Sequence, residues 1–234
     1  MKPTQKMVVL SGAGISAESG IQTFRDADGL WEQYAIEDVA TPEAWRKNAE
    51  LVQHFYNLRR KQVMNAAPNA AHDYFAALQE YMDVQIITQN IDDLHERAGS
   101  NKVLHLHGNI RLAKSSGPDP EKKYYPVSGE ELKMGALCAD GYQLRPHVVW
   151  FGEAVPALEE AALLCEAADI LIVIGTSLQV YPAASLAFTK NKNTRRFVID
   201  PNCQGLQLPA EFTKIASGAT EGVSILNGYL GLNV

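Results

Sequence analysis

The sequence predicts an α/β fold in which a mostly parallel sheet is covered by helices on both faces. Short, largely apolar segments at 7–10, 84–87 and 170–174 alternate with helical patterns such as 156–168. Apolar strands of this kind are typical of a parallel sheet that is buried on both sides. Most of them run directly into a glycine or polar cluster, and 234 residues are enough to bury a sizeable core.

The composition narrows the classes of partner. The net charge is −6 at pH 7, so no basic surface favours a nucleic acid or an anionic membrane, and we predict neither as a partner. The three cysteines, Cys138, Cys165 and Cys203, lie far apart, so no disulfide framework is predicted. The first apolar run, 7–10, is too short for a signal-peptide core. We therefore expect a cytoplasmic protein and a monomer.

The stretch after the first apolar run predicts a dinucleotide site. Residues 7–10 are predicted to form a buried strand, and the run Ser11-Gly12-Ala13-Gly14-Ile15-Ser16-Ala17 follows it. Gly12, Gly14 and Ala17 have the spacing G-x-G-x-x-A, in which the glycines allow positive φ and the small third residue allows close packing of the helix. The pyrophosphate is then expected at the N-terminus of that helix. A strand–helix turn without a ligand is the alternative.

The loop and the helices that follow carry further candidates. Residues 20–31 are irregular and rich in Gly and Asp, and long loops of this kind are commonly functional. In this loop Phe24 and Arg25 are either a lid and a cation for the pyrophosphate or a buried ring and a solvated charge. The run Thr41-Pro42-Glu43 predicts the start of a helix that ends near residue 64. Tyr56 and Arg59 adjoin on its surface.

Five clusters stand at the carboxyl ends of predicted strands, at 11–16, 88–92, 107–108, 175–177 and 200–202. Ligands of open α/β sheets bind outside these ends, so the clusters are expected to converge on one crevice. This convergence favours a nucleotide site over five separate turns.

The same pattern divides the chain into two domains. A further extended segment is predicted at 148–151, whereas 109–144 is polar and predicts a loop-rich insertion. Residues 1–27, 80–108 and 145–234 are assigned to a Rossmann-like domain. Residues 28–79 and 109–144 are assigned to a small domain.

Together these motifs resemble the sirtuins, the NAD-dependent protein-lysine deacylases. The resemblance rests on residues 12–16, 24–25, 88–92, 107–108, 145–153 and 175–177, and it covers essentially the whole chain. It implies that NAD is a co-substrate. The acyl-lysine oxygen attacks the anomeric carbon of the nicotinamide ribose, nicotinamide leaves, and a histidine then deprotonates a ribose hydroxyl. The implied products are free lysine, nicotinamide and O-acyl-ADP-ribose.

The resemblance also implies roles for individual residues. His107 is the implied general base, since an imidazole pKa is ordinarily about 6.5, and Asn90 and Asp92 would hold the nicotinamide. The implied NAD contacts are Gly12, Ala13, Gly14, Ile15, Ser16, Glu18, Phe24, Arg25, Trp31, Gln89, Asn90, Ile91, Asp92, Gly175, Thr176, Ser177, Asp200, Pro201, Asn202 and Ala219. Asp200 departs from many members, which have Asn there, although a carboxylate can still accept from ribose hydroxyls.

Acyl-lysine proteins or peptides are the implied substrates. Ala40, Tyr56 and Arg59 resemble the acyl pocket of sirtuins that prefer succinyl- or malonyl-lysine, because a phenol beside a cation can bind a carboxylate. An exposed helix pair is the alternative interpretation. The peptide is expected to add as a strand between two segments. The implied substrate contacts are Ala40, Tyr56, Arg59, Val149, Phe151, Gly152, Glu153, Gln179, Val180 and Tyr181.

Metal binding is where the chain departs from the family. Typical sirtuins carry four zinc-binding cysteines after the catalytic histidine, whereas 109–144 contains only Cys138. We therefore expect no zinc and expect the insertion to be held by packing of Tyr124, Tyr125, Leu132 and Leu137. A metal-binding pair of His105 with His107 is conceivable, but the spacing places no third ligand, so a structural His105 is preferred.

Three other functions stay open. ADP-ribosyl transfer or plain NAD hydrolysis would share the first step, the loss of nicotinamide. A non-catalytic NAD sensor would not need His107. A dehydrogenase is disfavoured because no clear acidic ribose ligand ends a strand about 20 residues beyond the glycine turn.

Overall fold

The structure is a computed structural model that describes residues 5–22, 34–188 and 190–232. The strands are β1 (Lys6–Ser11), β2 (Asp83–Thr88), β3 (Val103–His105), β4 (Gly108–Ser115), β5 (Tyr124–Pro126), β6 (Leu144–Val148), β7 (Ile170–Ile174), β8 (Arg195–Ile199) and β9 (Phe212–Ile215). The α-helices are α1 (Gly14–Ala17), α2 (Ile36–Val39), α3 (Pro42–Lys47), α4 (Ala49–Asn65), α5 (Ala70–Ala77), α6 (Leu94–Arg97), α7 (Leu158–Glu166) and α8 (Ala219–Leu230). The predictions for Phe24, Arg25 and Trp31 lie outside the described residues.

A parallel sheet forms the core of the described chain, with six strands in the order β3-β2-β1-β7-β8-β9. Successive residues of β1 point to opposite faces of the sheet. Met7 and Val9 lie in one buried cluster with α5 and α8, and Val8 and Leu10 lie in another with α7. The predicted parallel sheet with helices on both faces is confirmed. Among the described helices, none is both long and apolar enough to cross a membrane.

The carboxyl ends of five neighbouring strands lie level with one another. Ser11 pairs with Thr88 on one side and with Ile174 on the other. Further out, Thr88 pairs with His105 and Ile174 pairs with Ile199. The segments after these strands therefore start at one edge of the sheet, as the sequence predicts.

The sequence-based predictions are wrong at two elements. The single helix predicted from Thr41 to residue 64 is two helices, α3 and α4. Asn48 leaves the helical conformation (φ −154°, ψ 79°), and its side chain accepts the Leu51 N–H at 3.0 Å to begin α4. The extended segment predicted at 148–151 lies outside the parallel sheet, because β6 ends at Val148 and pairs with β4 in a separate antiparallel sheet.

The insertion at 109–144 is more ordered than predicted, since β4 and β5 join β6 in the order β5-β4-β6. Its buried cluster consists of Ala113, Val127, Leu132, Cys138 and Leu144, with Tyr125 packed against it. The expected packing is therefore right for Tyr125 and Leu132. Tyr124 stays 39% exposed but packs its ring against His147 of β6, with 4.0 Å between the ring centroids. The expectation is wrong for Leu137, which is 58% exposed.

Polar side chains of α4 also hold the insertion. Gln53 donates its amide to the Leu132 carbonyl at 2.8 Å. Asn57 donates to the same carbonyl at 3.1 Å and accepts the Leu132 N–H at 3.0 Å. The fully buried Arg60 donates Nε to the Ile110 carbonyl on β4 at 2.8 Å. Because a buried polar group without a partner costs about 1–3 kcal/mol, these bonds fix the backbone of the insertion against α4.

The turns after β1 and β7 touch at Gly175, where substitution should be costly. Gly175 has φ +62°, and a Cβ there would lie 2.3 Å from the Ile15 nitrogen. We expect Gly175→Ala to lower the free energy of unfolding by at least about 2 kcal/mol, measured by urea denaturation.

Gly129→Ala is the matched control. Gly129 also has a positive φ (+81°), but a Cβ there would meet nothing within 4 Å. Only the left-handed backbone cost of about 1 kcal/mol applies to it. Equal destabilisation by the two substitutions would contradict the assigned contact.

Candidate active site

The glycines after β1 serve backbone packing. A Cβ at Gly12 would lie 2.7 Å from Cβ of Thr176, and one at Gly14 would lie 2.7 Å from Cα of Gly175. Neither Gly12 nor Gly14 has a positive φ, so that part of the prediction is wrong. Ala17 is exposed and does not provide the predicted helix packing.

The predicted anion site at the N-terminus of α1 has fewer backbone N–H donors to offer than expected. The N–H of Gly14 donates to the Gly175 carbonyl at 2.8 Å, that of Ile15 to Gly12 at 3.1 Å, and that of Ser16 to Ala13 at 3.1 Å. These three amides are engaged within the protein. The main contribution of the turn is therefore a backbone surface that carries no side chains at its glycines. These three amides are not available as donors to a phosphate.

Ser16, Asn90 and Asp92 form a buried polar network at the ends of β1 and β2. Asn90 donates its amide to the Ser16 hydroxyl at 3.1 Å, and that hydroxyl donates to Asp92 Oδ2 at 3.0 Å. Asp92 Oδ1 accepts the Leu94 N–H at 3.2 Å. Burial raises the pKa of Asp92, and the bonds from Leu94 and Ser16 offset part of the rise. The network holds the Asn90 amide in one orientation beside the carboxyl group.

The geometry of His107 suits a general base. Its Nδ1 lies 2.9 Å from the Gln89 carbonyl, and a carbonyl only accepts, so Nδ1 carries the proton and Nε2 carries the lone pair. Burial lowers the pKa of His107, although the bond to Gln89 opposes this effect. The imidazole is therefore neutral at pH 7 and able to accept a proton at Nε2.

His105 differs from His107 because both of its ring nitrogens face acceptors. Nδ1 lies 3.0 Å from the Asn90 carbonyl and Nε2 lies 2.7 Å from Glu96 Oε1. Burial acts to lower the pKa of His105, but the hydrogen bond and charge of Glu96 outweigh it and the pKa is raised. An imidazolium donating to both groups clamps the backbone of Asn90, which is a structural role. In the parts of the chain that the structure describes, no cluster of three or more His, Cys, Asp or Glu could hold a metal ion.

Ala40, Tyr56 and His107 are brought together by the segment after β6. The Val149 N–H donates to the His107 carbonyl at 2.9 Å, and the Phe151 N–H donates to the Ala40 carbonyl at 3.0 Å. Between them, the Trp150 indole donates to the Tyr56 hydroxyl at 3.1 Å. Ala40 and Tyr56, two of the predicted acyl-pocket residues, therefore lie near the predicted base.

The phenol and the cation of this pocket are both buried. Burial raises the pKa of Tyr56, so its hydroxyl keeps its proton. Burial lowers the pKa of Arg59, and the nearby carboxyl group of Asp92 acts in the opposite direction. Arg59 thus interacts electrostatically with Asp92 of the polar network. This interaction connects the predicted acyl pocket with the predicted nicotinamide site.

The predicted peptide segments differ in exposure. Phe151, Val180 and Tyr181 are exposed, as a surface that pairs with a peptide must be. Glu153 is instead engaged within the protein. Its Oε1 accepts from Arg145 at 2.5 Å and its Oε2 accepts the Trp150 N–H at 2.9 Å. Gly152 has φ +90°, which permits the turn between these groups.

The remaining predicted NAD contacts fall into two groups. At the cleft, Gln89 donates to the Thr176 hydroxyl at 3.3 Å, and Asp200 accepts the Asn202 N–H at 2.8 Å. At the border of the cleft, Glu18 accepts the Thr220 N–H at 3.1 Å and so caps the N-terminus of α8. That bond gives Glu18 a structural function next to Ala219. Ser177 and Ile91 also follow strand ends of the sheet.

Three residues that support the site were not predicted: Glu96, Arg145 and Trp150. Glu96 fixes His105, and Arg145 places its guanidinium 3.8 Å from the centroid of the Trp150 ring. A signal existed for Trp150, since a buried indole N–H usually needs an acceptor. Nothing local in the sequence indicated which acceptor it would meet.

Comparisons with known proteins agree with this geometry. The profile of the Sir2 family matches residues 12–182. A relative from Helicobacter pylori, named NAD-dependent protein deacylase, is 51% identical over 222 residues, which are 95% of this chain and 96% of the relative. A solved Sir2 homolog–NAD complex has a TM-score of 0.84 at 39% identity, covering 97% of this chain and 89% of that chain. A structure of Sir2 bound to an acetylated peptide has a TM-score of 0.75 at 31% identity, covering 97% and 94%.

The profile covers more than half of the chain, and the relative is about half identical to it over nearly its whole length. The resemblance seen in the sequence is thereby confirmed. The chain belongs to the Sir2 family, the sirtuins.

Proposed function

We propose that the chain is an NAD-dependent protein-lysine deacylase. The observation that carries this proposal is the His107 ring, whose Nδ1 proton is fixed on Gln89 and whose Nε2 is left as a base. Asn90 and Asp92 stand in a buried network on the adjacent strand end. The Helicobacter pylori relative is named for this activity, and solved family members hold NAD or an acetylated peptide.

The cleft has the chemistry that NAD requires. The contact between the turns at Gly14 and Gly175 gives the cleft a backbone surface without side chains. The Asn90 amide offers a donor and an acceptor to a carboxamide. NAD supplies nicotinamide as a leaving group and ADP-ribose as the acceptor of the acyl group. Asn90, Asp92 and Ser16 would hold the nicotinamide end, and Gln89 and Thr176 would contact the ribose. His107 takes the proton of a ribose hydroxyl at Nε2.

Mass spectrometry of acyl-lysine peptides with and without NAD tests this function. We expect acyl loss only with NAD, and we expect His107→Asn to lower kcat by about 100-fold or more because no base remains. His54→Asn, at an exposed histidine of α4, is the control and should keep wild-type activity.

The other functions give different products in the same experiment. Nicotinamide release without free lysine indicates ADP-ribosyl transfer or NAD hydrolysis. NAD binding without nicotinamide release indicates a sensor. Either result would overturn the deacylase proposal.

We also propose that the acyl pocket prefers succinyl and malonyl groups over acetyl. Arg59 supplies a buried cation, Tyr56 supplies a protonated phenol, and Ala40 has only a small side chain. A carboxylate that enters such a pocket gains charge-assisted hydrogen bonds. It also offsets the cost of burying the guanidinium.

Arg59→Met tests this preference. We expect kcat/KM for a succinyl-lysine peptide to fall by about 10-fold or more, since hydrogen bonds to charged groups contribute about 1.5–3 kcal/mol. The acetyl-lysine peptide of the same sequence should be affected far less. Arg46→Met, at an exposed arginine of α3, is the control. An equal fall in kcat/KM for the two peptides would contradict the proposed preference for acidic acyl groups.

The insertion is proposed to need no structural zinc. Cys138 is its single cysteine, and the hydrogen bonds from α4 together with its apolar cluster support an insertion held without metal. Elemental analysis of the purified chain tests this proposal, and stoichiometric zinc would contradict it. A cytoplasmic location and a monomeric state stay predictions.

A further inference from the structure

The hydrogen bond between Trp150 and Tyr56 fixes more than the position of two rings. An indole N–H can only donate, so at 3.1 Å the Tyr56 oxygen is the acceptor. A phenol has a single proton, and that proton must then point away from the indole. The bond from Trp150 therefore leaves the Tyr56 hydroxyl oriented as a donor towards another group.

The indole is itself held on several sides. The Arg145 guanidinium lies 3.8 Å from the centroid of its ring, and the Trp45 ring lies 5.8 Å from it. Glu153 holds both residues, because one carboxylate oxygen accepts from Arg145 at 2.5 Å and the other accepts the backbone N–H of Trp150 at 2.9 Å. With its backbone and its ring face both fixed, the indole N–H keeps its direction. Preorganised donors of this kind lose little entropy when a ligand binds.

Burial keeps the phenol protonated in spite of the cations around it. Burial raises the pKa of Tyr56, and Glu153 adds to the rise, while Arg59 and Arg145 act against it. The hydroxyl can thus donate its proton throughout the neutral pH range. Arg59 lies one helical turn further along α4, on the same face, so the two side chains can address one carboxylate.

We propose that Trp150 is a positioning residue for acidic acyl groups: by donating to Tyr56 it directs the phenol proton towards the acyl carboxylate. This inference rests on the proposed acyl preference and adds a residue to it that does not touch the substrate. Trp150 should matter for succinyl- and malonyl-lysine and should matter little for acetyl-lysine, which has no distal carboxylate to receive the proton.

Trp150→Phe tests the inference because it keeps an aromatic ring and removes the N–H. For a succinyl-lysine peptide we expect KM to rise by about 3- to 10-fold with kcat nearly unchanged. For the acetyl-lysine peptide of the same sequence, KM and kcat should both stay close to wild type. Tyr81→Phe is the control, since it changes an exposed aromatic ring that has no part in holding the Trp150–Tyr56 bond.

A double-mutant cycle separates positioning from packing. If Trp150 acts through the phenol proton, Trp150→Phe should raise KM no further in a Tyr56→Phe background, because no hydroxyl is left to orient. Additive effects, or equal losses on the succinyl and acetyl peptides, would overturn the inference. Replacement of Trp150 by benzothienylalanine, which keeps the size of the ring and lacks only the N–H, repeats the test if the Phe variant fails to fold.

The failure of this inference can be told apart from the failure of the proposed pocket. If Tyr56→Phe selectively raises KM for the succinyl-lysine peptide and Trp150→Phe does not, the proposed pocket is supported and the proposed role of Trp150 is wrong. If Tyr56→Phe has no selective effect, the proposed acyl preference itself fails, whatever Trp150 does.

Discussion

The backbone contact between the turns after β1 and β7 is the constraint on which the site depends. The Gly14 N–H bonds to the Gly175 carbonyl at 2.8 Å, and a Cβ at either position would collide with the other turn. This contact directs α1 so that Ser16 reaches the loop after β2. There Ser16 meets Asn90 and Asp92, and the same loop anchors His107 through the Gln89 carbonyl. A side chain at either glycine would separate the parts that have to act together.

The second organising element is the short segment 149–151, which connects three parts of the chain. It bonds in turn to His107, to Tyr56 and to Ala40. The proposed acyl pocket is consequently connected to the proposed base, His107, through the chain and through hydrogen bonds. Burying a guanidinium is costly unless a charge compensates it, and the carboxyl group of Asp92 acts on Arg59 in that sense. An acidic acyl group would complete the compensation.

The sequence was sufficient to predict whatever depends on local pattern. Apolar runs identified the strands of the parallel sheet. The glycine or polar clusters that follow these strands predicted one crevice, because parallel strands end at one edge of the sheet. The roles that were missed depend on pairs distant in the chain. Gly12 and Gly14 are small because of a turn that begins at Gly175. Glu18 caps α8 through Thr220, 202 positions away, and Trp150 meets Tyr56 across 94 positions. No local periodicity encodes such partners. The break at Asn48 is a different case, since a residue that favours caps was available to end the predicted helix there.

A crystal structure of the wild-type chain with a succinyl-lysine peptide and a non-hydrolysable NAD analogue tests the proposed site most directly. We expect the distal carboxylate to lie within hydrogen-bonding distance of both the Tyr56 hydroxyl and the Arg59 guanidinium. We also expect a ribose hydroxyl of the analogue to face Nε2 of His107. A succinyl group directed to solvent, or an analogue bound away from His107, would contradict the claim that the pocket and the cleft form one site.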